Sequence, residues 1–186
     1  MSDLHSYSKV WALGHPQIAE LCNEPVFVAE KIDGSQFSWR LLPDMIPQFR
    51  SKGAIVYPQD KGMFGLATAA ILEHLQACNP QYVYRAEFLS KPKHNALKYD
   101  RVPKHYLVVY DIEDMEIGPY NFLSPTAVAA ECARLGLECV PVDASMEVHS
   151  MADLEAHMAT PSMLGGSREG VVLKNYKRFT LDGKVM

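Results

Sequence analysis

The sequence predicts an α+β fold, with mostly antiparallel strands and helices on the outside. Three observations carry that prediction. Short runs of strand length, apolar or alternating, recur along the chain between turn residues. A few longer segments have helical spacing, and two carry recognisable start signals. The composition, 48% apolar and 22% charged over 186 residues, is that of a globular chain that buries a core without disulfides or a structural metal.

Pro16 to Asn23 reads as a short helix, with Ile18, Ala19 and Cys22 on one side. Val26 to Lys31 is a short apolar run ending at the turn signal Asp33-Gly34, and Ser35 to Leu42 follows as a second strand. The two bracket the turn as a hairpin would. Ala54 to Tyr57 reads as a strand, and Gly62 to Ala77 as a helix through Met63, Leu66, Ala70 and Leu75. Tyr82 to Phe88 and His105 to Ile112 are strands. Between them lies Leu89 to Lys104, a polar, basic loop too long for a mere connector. Ser124-Pro125 is a strong helix start, and that helix runs to Gly136. Ser150 to Met158 reads as a shorter helix, in which Ser150 and Asp153 approximate a capping box. Gly165-Gly166 breaks the chain, and Gly170 to Tyr176 is the final strand. The length fits one domain over residues 1–186.

The formal net charge is −4, whereas a non-specific nucleic-acid binder would be basic overall. Contact with nucleic acid must therefore come from local basic patches. Cys22, Cys78, Cys132 and Cys139 form no C-x-x-C pair and have no zinc-finger spacing. Cys132 lies in a helical pattern and Cys139 in a strand-like one, so both read as buried thiols in a reducing compartment. The first seven residues hold no apolar signal core, and no run approaches membrane-spanning length. The expectation is a cytoplasmic protein without a membrane partner.

Four segments bear chemistry. Glu30-Lys31-Ile32-Asp33-Gly34 ends a buried-looking strand with a lysine at a tight turn. A cleft wall can desolvate such a lysine, which favours the neutral, nucleophilic amine. In Arg168-Glu169-Gly170-Val171-Val172-Leu173-Lys174, alternation puts Glu169, Val171 and Leu173 on one face, and Gly170, Val172 and Lys174 on the other. Tyr84-Arg85-Ala86-Glu87-Phe88 is a strand with an acid at its rim, and His105 to Glu113 carries Tyr110-Asp111 after an apolar run. Each alone has a plain structural explanation as a hairpin, an amphipathic strand or a core strand.

Their order is more informative. K-x-D-G, an acid-bearing strand, an aromatic-Asp strand and E-G-V-V-L-K together resemble the covalent nucleotidyltransferase superfamily of ATP-dependent DNA ligases, RNA ligases and mRNA capping enzymes. Glu30-Lys31-Ile32-Asp33-Gly34-Ser35 and the segment from Lys91 to Pro103 look most like the RNA ligase branch, and within it like the phage and bacterial enzymes of the Deinococcus type. The resemblance implies an ATP-grasp-like nucleotidyltransferase fold and a covalent AMP on Lys31. It implies that Glu30 contacts the adenine edge, that Arg50 in Arg50-Ser51-Lys52-Gly53 binds on the AMP side, and that Glu87 binds the ribose hydroxyls. Tyr110 would stack on adenine, Glu169 would hold the metal and Lys174 would contact phosphate. The implied reaction seals a 5′-phosphate and a 3′-hydroxyl of RNA, so the partners are RNA ends and ATP.

The resemblance further implies a K-x-K motif after the last strand. The chain reaches Lys184-Val185-Met186 without it, so the expectation is a nucleotidyltransferase core ending before that motif. The alternatives are the core of a DNA ligase or capping guanylyltransferase, both normally joined to an OB-fold, or a weakened nucleic-acid-binding module. Carboxylates at Asp33 and Glu169 favour the charged form of Lys31, which argues for a divalent cation among them, Mg²⁺ or Mn²⁺. Lys91, Lys93, His94, Lys98 and Arg101 make the long loop basic, and Pro92, Asn95 and Pro103 disfavour regular structure there. That loop is expected at the rim of the nucleotide cleft. There Lys91, Lys93, His94 and Arg101 would grip RNA, with Lys93 and Arg101 foremost.

Overall fold

The computed structural model describes residues 4–60, 62–180 and 183–186. The strands are β1 (Val26–Lys31), β2 (Ser35–Leu41), β3 (Pro47–Ser51), β4 (Ile55–Val56), β5 (Tyr82–Phe88), β6 (Leu107–Asp114), β7 (Glu138–Cys139), β8 (Val142–Met146) and β9 (Gly170–Lys174). The helices are α1 (Gly65–His74), α2 (Pro125–Leu135) and α3 (Ala152–Ala159). Two sheets form, one with the order β8-β1-β9 and the other β4-β3-β2-β5-β6-β7. Every pairing is antiparallel except that of β6 with β7. This is the α+β arrangement that the sequence predicts.

The larger sheet is built on alternation. Phe37 and Trp39 of β2, Tyr84 and Ala86 of β5 and Val109 of β6 point to one face. Ala67 and Ile71 of α1, with Val128, Cys132 and Leu135 of α2, cover it. Trp39 and Tyr84 stack there with centroids 5.0 Å apart and planes 5° apart. Gln36, Ser38, Arg50, Arg85 and Glu87 occupy the opposite face. On the smaller sheet, Val26 and Val28 pack outward against Ile18, Leu21, Val148 and Leu154. Ala29, Ile32, Leu89, Tyr99, Val108, Val140 and Leu164 fill the seam between the sheets.

The sequence reading of β1 and β2 as a hairpin is corrected. β1 pairs with β8 and β9, and β2 with β3 and β5. Ile32-Asp33-Gly34 therefore carries the chain from one sheet to the other. β1 is a central strand buried on both sides, and it needs two partners that β2 alone does not supply. The strands at Pro47–Ser51 and Val142–Met146 were not expected, and Pro16 to Asn23 is two 3-10 turns rather than one helix. In a three-residue repeat, Ile18 and Leu21 share a side, and those are the two residues buried.

The caps on α2 are as expected. Ser124 Oγ accepts from the Ala127 amide, Pro125 opens the helix, and Gly136 ends it at a φ of 68°. Asp153 accepts from the Ser150 and His149 amides, which is half a capping box at the start of α3. Cys132 is buried as expected, and Cys139 is only half-buried.

Candidate active site

Lys31 is the last residue of β1 and stands in register with Gly170 of β9. Its ammonium pairs with the Glu169 carboxylate, and the two side chains are 44% and 32% exposed. Glu169 precedes β9, so the alternation that would place it with Val171 and Leu173 does not reach it. Val171 and Leu173 do pack outward, while Val172 and Lys174 face inward with Lys31.

Asp33 is held on three sides. Its Oδ2 accepts from the Ala96 and Leu97 amides at 2.8 and 2.7 Å, and its own amide donates to the Tyr99 hydroxyl at 2.8 Å. Asn95 donates to the Gly34 carbonyl at 2.6 Å, and His94 Nε2 meets Ser35 Oγ at 2.9 Å. The basic loop is thus clasped to the turn beside Lys31. Gly34 is required by space: a Cβ there would come within 2.9 Å of Glu87 Cβ and 3.0 Å of the Phe88 carbonyl oxygen.

The opposite wall comes from β5 and β6. Gln36 pairs with Glu87 across β2 and β5, so both share the site face. Burial pushes the Glu87 carboxyl up to about 8, against the pull of Lys31 and with repulsion from Glu169 and Asp33. Opposite Arg85 and Ala86, β6 carries a bulge that leaves Tyr110 without a cross-strand partner. Tyr110 and Asp111, although adjacent, both reach the interior. The Tyr110 hydroxyl accepts from Gln36 Nε2 at 3.0 Å. Asp111 Oδ2 accepts from Lys174 Nζ at 2.6 Å and from the Tyr7 hydroxyl.

These walls enclose a cavity of about 100 Å³ that Glu30, Lys31, Glu87, Tyr110, Val172 and Lys174 all line. Five of the predicted site residues therefore converge, Lys31 counted among them, and Glu169 stands beside it. Glu30 is 2% exposed. Its Oε2 accepts from the Met163 amide at 3.0 Å, with Arg168 Nε 3.8 Å away, and its buried Oε1 has no hydrogen-bond partner. An adjoining cavity of about 410 Å³ shares Tyr7, Val10, Val172 and Lys174. Arg50 lies apart from the Lys31 cavity, opposite Ser38 on β3, and its buried Nε has no hydrogen-bond partner.

In the basic loop, Lys91 and Lys93 are exposed. His94 is half-buried with both ring nitrogens engaged, by Ser35 and by the Ser90 amide, and burial followed by Lys91 holds its pKa below the usual value. Arg101 is bidentate on Glu138, with contacts of 2.9 and 2.6 Å. The sequence reading did not single out Tyr7 or Asp111 for a role, nor Val172. Only Val172 had a legible signal, its place on the inward face of E-G-V-V-L-K.

A family model described as RNA ligase matches residues 24–186. The fold is also that of solved structures of Naegleria gruberi RNA ligase. A form with PPi is 18% identical with a TM-score of 0.65, over 98% of this chain and 56% of that one. A mutant with ATP and Mn is 20% identical with a TM-score of 0.65, over 91% of this chain and 50% of that one. A mutant with AMP and Mn is 21% identical, again with a TM-score of 0.65, over 91% and 50%. This chain thus spans about half the length of the structures it matches. No curated protein matches it.

Proposed function

The chain belongs to the RNA ligase family, and on that premise we propose that it is an ATP-dependent RNA ligase that carries AMP on Lys31. The observation behind this reading is the convergence of Lys31, Glu30, Glu87, Tyr110 and Lys174 on one cavity. Adenine would lie between the Tyr110 ring and Val172. Its exocyclic amine would donate to Glu30 Oε1, a buried acceptor with no partner in the protein. Glu87 would take the ribose hydroxyls. Lys174, already turned inward by Asp111, would face the phosphates.

The chemistry has three steps. The Lys31 amine attacks the α-phosphorus of ATP, a P–N bond forms, and the bond to pyrophosphate breaks. The 5′-phosphate of RNA then displaces Lys31 and takes the AMP. A 3′-hydroxyl finally attacks that phosphate, closing the phosphodiester and releasing AMP. The first step needs Lys31 without its extra proton, and its pairing with Glu169 opposes this. Turning Glu169 away from Lys31 removes the opposition.

Glu169 offers hard carboxylate oxygens beside the amine, with Glu87 and Asp33 nearby. Among the described residues no three His, Cys, Asp or Glu side chains could by themselves hold a metal ion. A cation here would therefore draw further ligands from phosphate and water, as Mg²⁺ and Mn²⁺ do. Held by Glu169, it would offset the charge building on the α-phosphate. The Naegleria structures with ATP or AMP and Mn agree with this use of nucleotide and metal.

RNA contact falls most readily to Lys91 and Lys93, whereas His94 and Arg101 are engaged in holding the loop. The test is incubation with α-labelled ATP and Mg²⁺. Covalent label on the wild type and none on Lys31→Ala is the expected result. Lys31→Arg should also stay unlabelled, because a guanidinium stays charged and does not attack phosphorus. A labelled Lys31→Ala protein would overturn the assignment. Sealing of RNA but not DNA strands then separates the RNA ligase from a DNA ligase core.

A further inference from the structure

We propose that Tyr7 is a positioning residue of the nucleotide site, supplied by a segment ahead of the family-matched region, and that it acts by fixing the ring of Tyr110. The inference rests on the reading of the Lys31 cavity as the ATP site. The family match begins at residue 24, so nothing in it assigns a role to Tyr7. The structure nonetheless lays this segment against the site.

The Tyr7 ring meets Tyr110 edge to face, with centroids 5.0 Å apart and planes at 79°. Phe122 braces it from another side at 5.7 Å and 63°. Its hydroxyl donates to Asp111 Oδ2, the same oxygen that receives Lys174 at 2.6 Å. Two residues upstream, the His5 carbonyl accepts from Arg85 Nη1 at 3.0 Å, which anchors the segment to β5. Tyr7 is therefore immobilised by groups of the larger sheet, and it lines both the Lys31 cavity and its neighbour.

Tyr7 belongs to none of the three hydrophobic clusters that hold the sheets and helices together. Its ring and hydroxyl meet Tyr110, Asp111 and Phe122, with the Arg85 guanidinium 6.0 Å from its centroid, and the first of these is the ring expected to stack on adenine. A stacking ring binds a base best when its plane is set in advance, because a ring that must be ordered on binding spends part of the affinity on lost rotamer freedom. Gln36 fixes the hydroxyl end of Tyr110, and Tyr7 fixes the ring itself.

The test measures the ATP dependence of lysyl-AMP formation in the full chain. Tyr7→Leu should raise KM for ATP roughly three- to tenfold, the range of one aromatic pair, with the saturating rate within about twofold of wild type. Tyr7→Phe keeps the edge contact and should restore KM to within about threefold of wild type. In a Tyr110→Leu background, Tyr7→Leu should raise KM no further, because the ring it positions is gone. Tyr7→Met, which keeps most of the volume without the ring, replaces Tyr7→Leu if the latter does not fold. Wild-type KM in the ringless variant overturns the proposal, as does an undiminished effect in the Tyr110→Leu background. A saturating rate that falls with the folded fraction at constant KM would make Tyr7 merely structural, and also overturns it. Absence of label on the wild type would instead overturn the ATP reading, which keeps the two failures distinct.

Discussion

Replacing Glu87 by glutamine should change how stability depends on pH. The Glu87 carboxyl is raised from 4.5 to about 8, chiefly by burial, with Glu169 and Asp33 adding repulsion that Lys31 only partly offsets. In the unfolded chain it loses its proton near the lower value, and in the folded protein it keeps it to near the higher one. Between them, folding takes up a proton, so this group's contribution to stability is complete at low pH and is lost as pH rises. One whole proton gives a slope of about 1.4 kcal/mol per pH unit. Glu87 keeps some contact with water, and we expect about 1 kcal/mol per unit, or roughly 2–3 kcal/mol between pH 5 and 8. Glutamine has the same shape and no proton to lose. Urea unfolding of both proteins at several pH values in that window supplies the measurement. Other groups that titrate there, such as Cys139, held down to about 7 by Cys132, are common to both proteins and cancel in the difference. The Glu87→Gln protein should gain on wild type steadily as pH rises. Parallel pH profiles would refute the reasoning, because they would mean that Glu87 ionises in the folded state as freely as in the unfolded chain.

Further predictions concern the turn, the Tyr110 ring and the loop. Gly34→Ala should lower stability by about 1–3 kcal/mol, since the added methyl meets the Phe88 backbone and Glu87; an unchanged urea midpoint would show that β2 and β5 separate without cost. Tyr110→Phe should leave ATP binding within about threefold of wild type, while Tyr110→Ala should weaken it at least tenfold, because the ring face and not the hydroxyl does the stacking; equal losses measured by titration calorimetry would assign the binding to the hydroxyl. Replacing Lys91 and Lys93 by alanine should flatten the salt dependence of RNA affinity by roughly one to two units of log–log slope and leave AMP attachment to Lys31 intact. Filter binding across a salt series checks the first part and labelling the second.

The strand-bearing segments and the helix caps were legible because each depends on near neighbours in the chain. Ser124, Pro125 and Gly136 specify their cap within a dozen residues. Pairing partners were not legible. Lys31 and Ser35 look like the two sides of a hairpin turn, and nothing local shows that β1 is claimed by β8 and β9. The same limit hid Val142–Met146, a strand defined by β1 more than by its own exposed residues. Within the site, Lys31, Glu87 and Tyr110 came from motif order. Asp111 stood in that order within the aromatic-Asp strand but was given no role, and strict alternation would send it away from Tyr110. Only the bulge opposite Arg85 brings both inward. Arg101 looked like a phosphate ligand by charge, and its bidentate partner Glu138 lies 37 residues away.

The passage of the chain from one sheet to the other at Ile32-Asp33-Gly34 places Lys31 on a different sheet from Glu87 and Tyr110. Lys31 rides the three-stranded sheet, while Glu87 and Tyr110 ride the six-stranded one. The reach from Lys31 to Glu87 therefore depends on how the sheets pack, through the side chains of Leu89, Val108 and Leu164 in the seam between them. A change of one methylene among them alters that reach while leaving every charged group in place. On the proposed reading of Lys31, variants that tune rate without disturbing nucleotide affinity should be sought among these three residues, which lie outside the lining of the Lys31 cavity.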